Sequence, residues 1–261
     1  MLTTIYPTAV CRADDDSVPE SCEIPDKTPQ WTIHGLWPNY DNGSYPQNCN
    51  GFPKHFDENL IKPIEDKLIK LWPNLYPKKS VTSFWKHEYE KHGTCAQSVT
   101  LFGTELDYFT EVMKVYNSID IEGALKSIGP SETPITSKDV TNALSGITGG
   151  KQFQFHCLKD KKTKQYLLAD VRFCLNKDLS FRDCSTHHSQ NYHQNRVSRF
   201  DRSTREKKHG QAPLPTFQPC PAEFIYLAST NVSSSNTCKP CDTSASSFFG
   251  RVWSAIKSIG L

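Results

Sequence analysis

The chain has 261 residues, 36% hydrophobic and 11% aromatic, which is enough to bury a core and excludes a wholly disordered protein. Its net charge of +2 hides an asymmetry: residues 1–181 carry 20 Lys and Arg against 23 Asp and Glu, while 182–261 carry 10 against 5. The main body is thereby excluded as an electrostatic trap for nucleic acid, so any work on RNA must fall to a small site.

The stretch WTIHGLW, residues 31–37, predicts a short strand with Thr32, His34 and Leu36 on one face, opposite Trp31, Ile33 and Trp37, and with Gly35 permitting close approach. Residues 41–56, rich in Asn, Gly and Pro, read as loop. FDENLIKPIEDKLIKLW then places Leu60, Ile61, Ile64, Leu68 and Leu71 at helical spacing, with Pro63 near the first turn, where proline is tolerated. A second helix is expected over 83–92, capped by Thr82 or Ser83 and ended by Gly93. A third follows the capping pattern TELD at Thr104 and runs through Phe109 and Val112 to Tyr116. Short helices near 121–127 and 137–145 come next, and KQFQFHC and QYLLADVRFCLN alternate like antiparallel strands. Helices early and strands late predict an α+β domain.

Past Cys184 the character changes. Residues 185–215 have few apolar side chains, four histidines and a basic run, and read as a flexible insert or linker. In the last segment Phe248, Phe249, Val252, Trp253, Ile256 and Ile259 form an apolar stripe, expected to be a terminal amphipathic helix docking on the domain, with membrane-surface contact the other reading. No apolar stretch approaches the roughly 18 residues of a membrane span. No signal peptide follows Met1, which is taken as the start of a trimmed or incomplete mature chain. Ten cysteines match no common zinc-site spacing, and together with sequons at Asn42 and Asn231 they point to disulfides in an exported, extracellular or lysosomal protein.

The densest chemistry lies in FWKHEYEKHGTC, residues 84–95. On an ideal helix His87, Glu88, Lys91 and His92 share one arc of about 140°, and Tyr89 and Glu90 point elsewhere. Histidines five apart lack the spacing of the HExxH zinc proteases, whose two ligands are four apart. Imidazoles beside a carboxyl and an ammonium without a metal suit cleavage of RNA by its own 2'-hydroxyl. One group takes that proton, another protonates the departing 5'-oxygen, and positive charge steadies the phosphorane. DNA, lacking the hydroxyl, cannot react this way. One helix supplies half of such a clamp; His34 is the candidate for the other half.

WTIHGLWPNY and FWKHEYEKHGTC together resemble the two catalytic segments of the ribonuclease T2 family, and the likeness extends from YPTAVC to about Cys184. The resemblance implies a ribonuclease T2-like fold, an antiparallel sheet packed against several helices and stapled by disulfides. It implies a catalytic domain over 1–184 and a segment 216–261 tied to it by a disulfide. It implies a monomeric, metal- and cofactor-free endoribonuclease acting on single-stranded RNA, giving a 2',3'-cyclic phosphate and then a 3'-phosphate, with no stable protein partner. His92 would be the base and His34 the acid, His87 would hold the phosphate, and Glu88 with Lys91 would stabilise the pentacoordinate state. Trp37 would be a stacking platform for a base and Phe84 a wall of the second base site. Asn39 stands where many relatives carry an aspartate that helps read the base, which bears on base preference. Cys49 would pair with Cys95, Cys11 with Cys22 and Cys174 with Cys184; Cys157 would reach Cys238 or Cys241, leaving Cys220 to the remaining one. Two other readings stand beside the enzyme: a ribonuclease-fold signalling or cytotoxic protein, and a membrane-active protein using the basic insert, through polyanion contact, and the terminal helix.

Overall fold

The computed structural model describes residues 1–14, 22–50, 55–76, 78–185 and 216–228. The expectations placed on the basic insert, the terminal helix, Asn231, Cys238 and Cys241 lie outside them. The centre is a sheet with strand order β2-β1-β5-β4-β6, built from β1 (Leu2–Ile5), β2 (Thr32–Leu36), β4 (Gln154–Lys159), β5 (Tyr166–Phe173) and β6 (Gln218–Pro219). These pairs are antiparallel; β7 (Glu223–Ile225) adds one parallel bridge, Leu167 to Ile225, and pairs antiparallel with β3 (Pro134–Thr136). The expected antiparallel sheet is thus mixed at this one point.

Strand β1 was not foreseen from the sequence, yet it sits between β2 and β5 with every residue buried. Its four residues are too few to show a period, although Pro7 at the first turn of α1 (Pro7–Ala13) marks its end. Cross-strand register sorts the faces of the sheet. Leu2, Leu36 and Phe173 pair in one row, and Thr4, Ile33 and Val171 in another on the same apolar face; Thr3, Gly35, Arg172 and Gln154 share the opposite face.

The helices cover this core in chain order: α2 (Glu58–Ile61), α3 (Glu65–Leu71), α4 (Val81–Glu88), α5 (Thr94–Ala96), α6 (Glu105–Asn117), α7 (Ile121–Leu125) and α8 (Ser137–Leu144). The helix expected across 56–72 is divided by a 3-10 turn, Lys62–Ile64, because Pro63 has no N–H to continue the α ladder. Thr104 caps α6 through a reciprocal pair with Asp107, as TELD predicted. Tyr108 and Tyr116 of α6 donate their hydroxyls to the carbonyls of Leu36 and Trp31, at 3.0 and 2.5 Å, and so lock this helix to the last residue of β2 and to the residue just before that strand.

Among the described residues four disulfides join Cys11–Cys22, Cys49–Cys95, Cys174–Cys184 and Cys157–Cys220. The last corrects the expected partner of Cys157. Strand β6 runs beside β4 with Cys157 opposite Gln218, which brings Cys220 within bonding reach. Among the described residues no helix is long and apolar enough to cross a membrane.

Candidate active site

His34 lies on a β-bulge. Thr3 pairs with Gly35 and Thr4 with Ile33, so His34 is the extra residue on its strand. The bulge corrects the simple alternation expected of WTIHGLW: Ile33 and Leu36 fall on the same face, and His34 is re-aimed. Its carbonyl accepts from the Trp72 indole N–H at 3.0 Å, and its half-buried ring packs near Trp37, Phe84 and Phe217 with centroids 5.0, 5.9 and 6.0 Å away.

The second segment also departs from the expected helix. The N-cap is Ser80 in place of Thr82 or Ser83, and the α-helix stops at Glu88. A π-turn then covers Tyr89–Gly93, with the Thr94 N–H bonded to the Tyr89 carbonyl five residues back. The wider winding lets Glu88 and His92, both buried, reach the same side chain: the Trp37 N–H donates to Glu88 Oε2 at 2.8 Å, and the His92 ring lies 5.3 Å from the indole. Gly35 makes room for this. A Cβ there would stand 2.2 Å from Glu88 Oε2 and 2.5 Å from Trp37 Nε1.

Trp37 is therefore a hub that touches both imidazoles and the carboxyl. His87 is exposed and Lys91 half-buried on the same segment. The loop after β2 is tied to that segment twice, by the Cys49–Cys95 bond and by the Asn48 N–H to the Lys91 carbonyl at 2.8 Å. Asn39 lines a cavity of about 390 Å³ with Pro38, Tyr40, Cys95 and Phe102. Asn42 is exposed, and its Oδ1 accepts from the backbone and hydroxyl of Ser44.

Electrostatics follow from burial. It lowers His34 to about 3, with the Asp170 carboxylate opposing and Arg172, His87 and Lys91 reinforcing. It lowers His92 to about 2, where Lys91, His87 and His34 all act in the same direction. The protein packed around His87, then Lys91 and Lys79, lowers that imidazole too, exposed as it is. Glu88 is raised to about 8 by burial, against the pull of the Trp37 N–H and Lys91. Burial also lowers Lys91, and Glu88 opposes. The buried Nδ1 atoms of His34 and His92 have no hydrogen-bond partner among the described residues.

Three residues close to this group escaped the sequence reading. Phe217 arrives on the segment leading into β6, far along the chain from its site partners. Asp170 and Arg172 come from β5, where LLADVRF carries two charged residues at alternate positions in an otherwise apolar strand. That alternation was the available signal.

The fold is shared with solved ribonucleases. A crystal structure of a mutant of RNase MC1 in complex with 5'-GMP aligns with a TM-score of 0.63 and 29% identity, covering 86% of this chain and 97% of that one. By sequence, Ribonuclease T2 protein rnst-2 of Caenorhabditis elegans is 69% identical over 260 residues, the whole of this chain and 90% of the relative. Ribonuclease Oy of Magallana gigas is 40% identical over 185 residues, 69% of this chain and 84% of the relative. The chain matches the ribonuclease T2 family over residues 1–184 and belongs to that family.

Proposed function

We propose that this ribonuclease is an endoribonuclease that cleaves single-stranded RNA by attack of the 2'-hydroxyl on the adjacent phosphorus, with His34 and His92 as its acid and base. The carrying observation is the convergence of both imidazoles on the Trp37 indole, at 5.0 and 5.3 Å, with Glu88 bonded to that indole at 2.8 Å. His92 removes the 2'-hydroxyl proton; the 2'-oxygen bonds to phosphorus as the 5'-oxygen departs, taking a proton from His34. The product is a 2',3'-cyclic phosphate, which water then opens to a 3'-phosphate.

The assignment of roles rests on charge. At His34 the Asp170 carboxylate, the largest of the charged influences, favours the imidazolium against Arg172, His87 and Lys91, which supports the acid role; at His92 the charged neighbours all disfavour protonation, which supports the base. Below about pH 8 a neutral Glu88 does not repel an anionic diester, and Lys91 supplies positive charge beside it. His87 holds the phosphate from the rim. Trp37 and Phe84 face the bases, and Asn39 bears on which base is preferred. The related RNase MC1 mutant holds 5'-GMP, which supports a nucleotide-sized site here. Four disulfides support an oxidising, exported location.

The test is incubation with single-stranded RNA in EDTA across pH 4 to 8. Because the acid must start protonated and burial holds its pKa below the ordinary imidazole value, kcat/KM should rise as pH falls from 8 towards 5. His34→Ala and His92→Ala should each lose about 10²- to 10⁴-fold. Cleavage that survives in both variants, or that the chelator abolishes, would overturn the proposal.

A further inference from the structure

Beneath the indole of Trp37 lies a buried charged cluster that the two-imidazole reaction does not use. Asp170 and Arg172 sit on the same face of β5, 0% and 3% exposed. Arg172 donates Nε and Nη2 to Asp170 Oδ2 at 2.9 and 2.5 Å, and His156 of β4 meets the other oxygen, Oδ1, through Nδ1 at 2.8 Å. Burial opposes a charge on Asp170, yet Arg172 and His156 hold the carboxylate well below its usual pKa. Such a buried ion pair is poor value as a stabiliser, because apolar residues of similar volume commonly do as well. Its placement suggests a different use. The Arg172 guanidinium carbon stands 5.5 Å from the centre of the Trp37 ring, the ring on which both imidazoles pack and whose N–H is held by Glu88.

We propose that Arg172 is a positioning residue for the reaction: braced by Asp170 and His156, its guanidinium fixes the face of the Trp37 indole while Glu88 fixes its edge, and the indole in turn sets where His34 and His92 stand. A cation buried as Arg172 is, against a tryptophan face, makes a stronger contact than an exposed one. The planar guanidinium can stack on the indole and bond the carboxylate at once, which an ammonium cannot do. The same two β5 charges act on His34 with opposite sign, Asp170 favouring its protonation and Arg172 opposing it. The other charged or titratable groups facing His34 are His87, Lys91 and His92 from the second segment; Trp37, Phe84 and Phe217 bring only rings.

This inference rests on the reading of His34 and His92 as the acid-base pair. If that reading fails, His34→Ala and His92→Ala retain cleavage whatever the Arg172 variants do; if only this inference fails, those two variants are inactive and the Arg172 variants behave as wild type. The experiment measures kcat, KM and the pH profile of dinucleotide cleavage for Arg172→Met, Arg172→Lys and Asp170→Asn, with folding checked by thermal melting. In Arg172→Met kcat should fall about tenfold, more than KM rises, and the limb of the profile assigned to His34 should move to higher pH. In Asp170→Asn that limb should move to lower pH. Arg172→Lys, which keeps the charge, should leave the limb in place. Should either single variant fail to fold, the double variant Arg172→Met, Asp170→Asn removes both buried charges; it should fold, lose kcat about tenfold and shift the limb less than either single variant does. Folded Arg172→Met or double variant with wild-type kcat would overturn the proposal, as would limb shifts of the same sign in Arg172→Met and Asp170→Asn.

Discussion

At the scale of single residues, the site is shaped by side chains whose charge state the fold has moved. Glu88 is the clearest. Burial raises its carboxyl from 4.5 to about 8, and Gly35 is the residue that lets it come so close to the sheet. The unfolded chain ionises this group above about pH 4.5, whereas the folded chain keeps it protonated until about pH 8. Its contribution to stability is therefore complete below the unfolded value and is lost as pH rises through the folded one. Glu88→Gln has no proton to lose and keeps an acceptor for the Trp37 N–H. Relative to wild type it should gain stability between pH 5 and 8, by no more than about 1.4 kcal/mol per pH unit. Urea denaturation of both proteins at several pH values measures this; parallel stability profiles would show that Glu88 is ionised in the folded chain. The residues that sequence made legible here, His34, Glu88 and His92, are those with distinctive chemistry packed into short motifs. Arg172 and Asp170 were not, because nothing local ties a charged pair on a late strand to a tryptophan 133 residues earlier than Asp170.

At the scale of elements, two departures from regular structure build the site, the bulge at His34 and the π-turn after Glu88. Helical periodicity found the second segment but not its π-turn, since an ideal α-helix assigns angles that the wider winding changes. The bulge was equally hidden, because it depends on the register with β1, a strand too short to be recognised alone. Strand β6 was hidden too: two residues long, it follows directly on Phe217, whose ring stands 6.0 Å from His34, with Phe84 at 5.9 Å. If Phe84 walls the second base site, Phe217 extends that wall against the leaving nucleoside. Phe217→Ala should raise KM for dinucleotide cleavage by roughly five- to a hundredfold, the range expected for loss of one base-aromatic stack. Opening of a 2',3'-cyclic mononucleotide, which has no leaving nucleoside, should be spared. An equal loss on both substrates would place Phe217 elsewhere in the reaction or in the packing of His34.

At the scale of the whole molecule, the α+β class was legible from helices preceding strands, whereas the closing of the sheet was not. The chain returns after a long basic stretch to lay β6 beside β4 and β7 against β3 and β5, and no local pattern announces a pairing across so many residues. The same distance explains why the partner of Cys157 was misread, while Cys11–Cys22 and Cys174–Cys184, at separations of 11 and 10, lay close in sequence. The Cys157–Cys220 bond, at a separation of 63, is the covalent hold on a strand that otherwise pairs through two residues. Loop-closure entropy assigns it about 4 kcal/mol at 25 °C, against about 3 kcal/mol for Cys174–Cys184. Cys157→Ala with Cys220→Ala should accordingly destabilise the protein more than the matching Cys174 and Cys184 pair of substitutions. Because β6 carries the approach of Phe217 to His34, the first pair should also raise KM for dinucleotides, whereas the second should change stability alone. Denaturant midpoints beside KM for the two double variants decide it: a Cys157 and Cys220 variant that keeps wild-type KM would mean that the ladder to β4 holds Phe217 in place without the bond.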